Sequence, residues 1–120
     1  MKAILDGSKS IFIQICEAVE DGILTGEIGE EQPVPSTNQF AKHFSINPAT
    51  AAKGVNLLVD EGIIYKKRGI GMFVAAGARE KIRRKRKQAF IRDKLNELLS
   101  EAEKLDISKA EIIEIIEREM

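Results

Sequence analysis

The sequence predicts a mainly α-helical chain with one small β-hairpin, and three observations carry that prediction. Two short helical patterns, about 37–44 and 47–61, are separated by only a few residues. Directly behind them, two β-branched or aromatic-rich runs flank a glycine-containing turn. Residues 78–104 then keep a helical period without a single Gly or Pro. Two helices on a tight turn followed at once by a hairpin describe a winged helix-turn-helix. The expected organisation is that domain at 1–76 and a two-helix dimerisation tail at 77–120. A length of 120 residues suits one small domain with an appended element.

Taken in order, the first helix covers 11–25, where Phe12, Cys16, Val19 and Ile23 recur at spacings of 4, 3 and 4 and Gly26 stands at the stop. The stretch to Pro35 reads as a loop, broken by Gly29, Pro33 and Pro35. Ser36-Thr37-Asn38-Gln39 has the form of a capping box and opens a helix burying Phe40, Ala41 and Phe44. Ser45 and Ile46 interrupt it. Asn47-Pro48 starts the next helix, with Asn as cap and Pro at the first position, where the missing N–H has no partner to lose. Ala51, Val55, Leu58 and Val59 form its core face and Gly62 ends it. The hairpin pairs residues 63–67 with 72–75 around Arg68-Gly69-Ile70-Gly71, whose glycines supply positive φ angles. In the long helix, Ile91, Leu95, Leu98, Ala102 and Leu105 form a heptad-like seam. After a break at Asp106-Ile107, Ser108 and Glu111 form a second capping box before an isoleucine-rich terminal helix.

Composition excludes several function classes. No apolar run approaches a membrane span and no signal-peptide core is present, so a soluble cytoplasmic chain is expected. One cysteine rules out an internal disulfide, and with one histidine it leaves too few ligands for a structural zinc site. No nucleophile–base pairing, phosphate loop or metal spacing points to an enzyme, and no cofactor is implied. Cys16 lies on the apolar stripe and reads as a buried, inert thiol; His43 reads as a surface residue.

The formal net charge is zero, yet it is built from unequal blocks. Residues 63–94 hold twelve Lys/Arg against Glu80 and Asp93, while the blocks on either side each carry a net five negative charges. A partner meets the local field rather than the sum. A helix N-terminus in the major groove offers N–H groups to phosphate and short side chains to base edges. Asn47, Thr50 and Lys53 are therefore candidate DNA contacts, with Lys66, Lys67, Arg68 and Gly69 on the wing. Blander readings stand beside these: a simple helix start, and solvated positions on helix and turn. The run 79–87, with seven cations in nine residues, has three readings. It is a solvated helix face, a contact to phosphates beside the wing, or a partner for the acidic residues 97–119.

Residues 8–76 resemble the N-terminal domain of the GntR family of bacterial transcription regulators. The matching motifs are Ile11-Phe12-Ile13-Gln14-Ile15, Val34-Pro35-Ser36 with Phe40-Ala41, Asn47-Pro48-Ala49-Thr50, Glu61-Gly62-Ile63-Ile64, and Arg68-Gly69-Ile70-Gly71-Met72-Phe73-Val74. The Asn-Pro-x-Thr start and the short helical tail look like its YtrA-like subfamily. That resemblance implies a homodimeric repressor on an inverted-repeat, double-stranded operator, with ABC-transporter genes as frequent targets. It adds Ser36, Thr37, Asn38 and Ala49 to the DNA-contact set. One departure is material: the family carries Arg two residues after the Ser of its Pro-Ser motif, and this chain has Asn38. Losing a bidentate guanidinium contact is worth ~1–3 kcal/mol of base discrimination. Gly54 also stands where a helix-favouring Ala is commoner.

Ile112, Ile113, Ile115 and Ile116 span too wide an arc for one helix hairpin to bury, which predicts a homodimer. Its expected interface is Ile91, Leu95, Leu98, Leu99, Ile112 and Ile116. The competing function is a winged-helix protein-interaction adaptor that does not bind DNA, supported by Asn38 and the negative N-terminal block. No polar cluster in the tail points to a small-molecule effector.

Overall fold

The computed structural model describes residues 10–120. The part of the resemblance and of the 1–76 domain that falls on residues 1–9 lies outside the described residues. Two compact units are formed, one running to Arg83 and the other comprising Arg84–Met120.

The first unit is built on three helices and a sheet. Helix α1 (Ile11–Leu24) buries Ile15, Cys16, Val19 and Ile23. Phe12, expected on that stripe, is only half-buried, and its ring carries the Lys53 ammonium 4.4 Å from the centroid. Thr25 caps α1 and Gly26 follows at φ 84°, the left-handed stop that glycine adopts without penalty. The segment read as loop contains a two-residue strand, β1 (Pro33–Val34). It pairs antiparallel with β3 (Gly71–Val74), Val34 opposite Met72, while β2 (Ile64–Lys67) lies on the other side of β3. The hairpin is thus two strands of a three-stranded sheet. Pro33 fits because an edge strand needs no N–H on its open side.

Helix α2 (Thr37–Phe44) opens on the complete capping box. Ser36 N donates to Gln39 Oε1 at 2.7 Å and Gln39 N donates to Ser36 Oγ at 3.2 Å. The turn into α3 (Pro48–Asp60) is made by Ser45, left-handed at φ 53° and ψ 50°, with Ile46 N donating to the Ala41 carbonyl. A side chain there carries a steric penalty of ~1–2 kcal/mol that glycine avoids, partly offset by glycine's larger unfolded-state entropy. Ser45→Gly should therefore stabilise the domain by about 0.5 kcal/mol, read as a higher urea midpoint at an unchanged slope.

Gly54 has a physical reason. A Cβ built there would lie 2.9 Å from the backbone oxygen of Phe12, and the Cys16 thiol donates to the Gly54 carbonyl at 3.1 Å. Helices α1 and α3 meet backbone to backbone at this point. Around it, Ile15, Phe40, Ala51, Val55, Leu58 and Ile64 form a fully or nearly fully buried core. Phe44, Ile46 and Val59 pack against its edge.

Helix α4 (Ala78–Ala89) starts on that same core, where Ala78 and Ile82 have no exposed surface. The basic run begins here with two anchoring contacts. Arg79 Nε donates to the Leu24 carbonyl at 3.1 Å and Lys81 Nζ to the Gly62 carbonyl at 3.5 Å. Both cations sit at the C-terminal ends of helices, the negative ends of their dipoles. Arg83 pairs with Glu80 of its own helix at 2.6 Å.

In the second unit, Phe90–Leu95 is a π-helical segment joining α4 to α5 (Asn96–Lys104). The Gly- and Pro-free helical period of 78–104 predicts a continuous helix here, and the π-helical segment interrupts its α-helical geometry. The Asn96 amide donates to the Arg92 carbonyl at 3.1 Å, taking up an acceptor inside the segment. Asp106 turns the chain in the left-handed region (φ 56°) with Ile107 N bonded to the Ala102 carbonyl. Ser108 then caps α6 (Lys109–Glu119), its hydroxyl accepting from Glu111 N at 3.1 Å. Within Arg84–Met120 only Ala102 is buried. The predicted seam residues Ile91, Leu95, Leu98, Leu99 and Ile116 are exposed and Ile112 is half-buried. A groove of about 560 Å³ runs between α5 and α6, walled by Leu98, Ala102, Leu105, Ile112, Ile115 and Ile116.

Candidate nucleic-acid interface

The N-terminal end of α3 stands free of the core. Asn47 Oδ1 accepts from Ala49 N at 2.7 Å, and Asn47, Pro48 and Ala49 are exposed, with Thr50 half-buried. Burial of Ala51, Gly54, Val55 and Leu58 turns the other side of the helix outward. Ala49, Lys53, Asn56 and Asp60, at spacings of 4, 3 and 4, form its exposed stripe. Neither α2 nor α3 has an acidic residue in its first turn, so the positive end of each dipole is left uncompensated. At α2 the capping box takes up the Gln39 amide oxygen and one acceptor site of the Ser36 hydroxyl, whose O–H is still able to donate, and Asn38 is exposed beside it with Thr37 half-buried.

The wing supplies the cations. Lys67 O accepts from Ile70 N at 2.9 Å across a turn in which Gly69 has φ 77° and Arg68 a negative φ, the signature of a type II turn. Lys66 Nζ donates to Asn56 Oδ1 at 3.1 Å, which ties the wing strand to the exposed stripe of α3. Lys67 lies over the Phe73 ring, 4.9 Å from the centroid. Tyr65 stacks on Phe73 and donates to Glu31 Oε2 at 2.6 Å, a hydrogen bond that holds the phenol above its usual pKa. Arg68 and Gly69 are exposed at the tip. A cleft of about 190 Å³ has Ser36 and Gln39 on one wall and Ile70 to Phe73 on another, so the wing tip and the N-terminus of α2 border the same space.

These contacts join α3 to the wing through Asn56, a residue outside the expected contact set although it continues the outward face from Lys53. Lys53 itself is directed by Phe12. Ile70, at the wing tip, is likewise outside that set. The lower part of the basic run falls elsewhere. Lys81 is bonded at Gly62, beyond the C-terminal end of α3, and a helix of this length separates that point from Asn47 by about 20 Å.

Residues 13–74 match the sequence model of the bacterial regulatory proteins, gntR family. The chain belongs to the GntR family. Its fold and order of elements agree with solved GntR-family structures. A GntR-family transcriptional regulator from Bacteroides thetaiotaomicron is 34% identical, with a TM-score of 0.74 over 92% of this chain and 99% of that one. The GntR-family transcription factor YtrA from Sulfolobus acidocaldarius is 28% identical, with a TM-score of 0.58 over 98% and 94%. The AraR DNA-binding domain in complex with an operator is 27% identical, with a TM-score of 0.52 over 62% and 93%. In sequence, the chain is 35% identical over 65 residues to the transcriptional repressor NagR of Bacillus subtilis (strain 168). That alignment covers 54% of this chain and 27% of NagR, so the chain spans about a quarter of this relative's length. Among the described residues, no helix is long and apolar enough to cross a membrane.

Proposed function

We propose that this GntR-family regulator is a homodimer that binds an inverted-repeat operator in double-stranded DNA and represses transcription in the cytoplasm. The observation that carries it is the uncovered N-terminal end of α3. There Asn47, Ala49, Thr50 and Lys53 stand beside an exposed cationic wing that is bonded to the same helix through Asn56 and Lys66. An α-helix presented by its N-terminus fits the major groove, and a narrow basic hairpin fits an adjacent backbone or minor groove. The similar AraR domain binds an operator, which supports DNA as the ligand, and NagR's designation supports repression. Ser36, Thr37 and Asn38 at α2 supply the neighbouring backbone contacts, and Arg68 and Gly69 those of the wing. The exposed apolar residues of α5 and α6 are the faces that two copies would close. The YtrA-like resemblance makes ABC-transporter genes the first targets to examine.

Selection from a random-sequence duplex pool tests the proposal. The full chain should enrich an inverted repeat, whereas a protein-binding adaptor would enrich nothing. Salt dependence then separates the two ends of the basic block. Arg68→Ala should lower the slope of log affinity against log salt by about one per subunit, as expected for one lost phosphate contact. Arg79→Ala should leave that slope unchanged, because Arg79 is engaged at the end of α1.

A further inference from the structure

We propose that Ile70 is an aliphatic wedge which the wing presses into the minor groove beside each half-site, and that it discriminates among base pairs the chain does not hydrogen-bond. The inference rests on the DNA-binding reading and names a specificity-determining residue within it.

Ile70 is 74% exposed. Among the described residues up to Arg83, the other exposed large hydrophobic residue is Ile11, at 41%. The remaining exposed large hydrophobic residues among those described lie in 90–120, where their helical period gives them a seam to close. Ile70 has no such seam. A lone isoleucine also offers far less area than the ~1,000 Å² that a specific protein–protein interface needs. A protein partner therefore does not account for it.

The turn presents this side chain on a slender tip. Gly69 and Gly71 flank it at φ 77° and 148°, and a Cβ built on either would meet nothing within 4 Å. One branched aliphatic group thus projects from a hairpin end with no bulk on its immediate neighbours. Lys66, Lys67 and Arg68, all exposed, precede it in the same hairpin, so the local field draws the tip toward a polyanion. The cleft that Ile70 shares with Ser36 and Gln39 puts it on the side where α2 begins, next to the expected backbone contacts.

Aliphatic side chains act in the minor groove by packing on sugars and base edges, partly unstacking a step. The groove floor differs between pairs chiefly by the guanine exocyclic amine, which an aliphatic group would cover without offering it an acceptor. Ile70 should consequently favour A·T over G·C where the wing lands. It should also favour inosine·C, which lacks that amine.

The probe is the duplex most enriched by the full native chain from a random-sequence pool. Each pair flanking the half-sites is changed in turn to A·T, inosine·C or G·C. Ile70→Ala should weaken binding about tenfold per subunit, and so about a hundredfold for a dimer that loses both side chains, without altering the salt slope. It should also erase the native preference for A·T and inosine·C over G·C, and Ile70→Leu should retain both properties. An Ile70→Ala affinity indistinguishable from native, or a preference that survives the substitution, overturns the assignment while leaving DNA binding intact. A native chain that enriches no duplex overturns DNA binding itself, and the wedge with it.

Discussion

Leu98→Glu should convert the chain to a monomer and weaken its binding to an inverted repeat by at least a hundredfold. Leu98 is half-exposed on α5 and walls the groove between α5 and α6, where Ile112 and Ile116 face it from the terminal helix. Taken alone, Arg84–Met120 buries one side chain, Ala102, and leaves Ile91, Leu95, Leu99, Leu105 and Ile113 open to solvent. Covering such residues yields ~1.5–3 kcal/mol each, which is the driving force proposed for pairing two copies. An ionised carboxylate in the closed seam would lose its water, and Lys94, the cation lining this groove, shares that lining with Glu97 and Glu101, so the substitution would cost several kcal/mol more. The loss of affinity follows from linkage: two half-sites bound by one dimer gain ~10²–10⁴ over separate binding, and a monomer forfeits that gain. Sedimentation should report a single-chain mass and the far-ultraviolet circular dichroism should be preserved. A Leu98→Glu chain that stays dimeric would remove the tail from the interface. One that is monomeric yet binds with native affinity would remove the need for two half-sites.

Local chemistry was what the sequence made legible. Ser36 and Gln39 are three residues apart, Asn47 caps Ala49 two residues on, and Gly69 sits inside a four-residue turn, so each feature is complete in a short window. Non-local features left no such trace. Strand β1 is two residues that exist as strand only because Met72 and Phe73 lie opposite, and the Pro33 in it reads as a loop. The π-helical segment 90–95 contains no Gly or Pro to announce it. The contact set shows the same division. Asn47 and Thr50 follow from a helix start, but the hold of Asn56 on Lys66 and of Phe12 on Lys53 depends on how three elements pack. In the sequence Ile70 is one residue of a glycine turn. Its significance lies in an exposure that only the folded chain defines.

Gly54→Ala is where helix propensity and packing predict opposite signs. Propensity alone favours alanine in the middle of α3 by about 1 kcal/mol. The fold opposes it, because the new methyl would sit 2.9 Å from the Phe12 carbonyl oxygen and 3.4 Å from Ile15 Cγ2. The first neighbour is backbone and cannot rotate away, so α1 and α3 must separate by several tenths of an ångström. That movement stretches the Cys16–Gly54 hydrogen bond and opens the core around Ile15, Val55 and Leu58, none of which has any exposed surface. Overpacking of this kind costs ~1–3 kcal/mol and occasionally more. The net expectation is a loss of about 1 kcal/mol after the propensity gain, a fall in Tm of roughly 5 °C for a domain of this size. Function should follow, since α3 carries Asn47, Thr50 and Lys53 and is seated on α1 at this glycine. DNA affinity should drop even well below the melting transition. A raised Tm would show that the helices part freely and that propensity governs the site. Ile15→Ala, which removes the Cγ2 methyl, separates the two contacts: against that background Gly54→Ala should cost as much as in the native chain if the Phe12 carbonyl is the obstacle, and clearly less if the Ile15 side chain is.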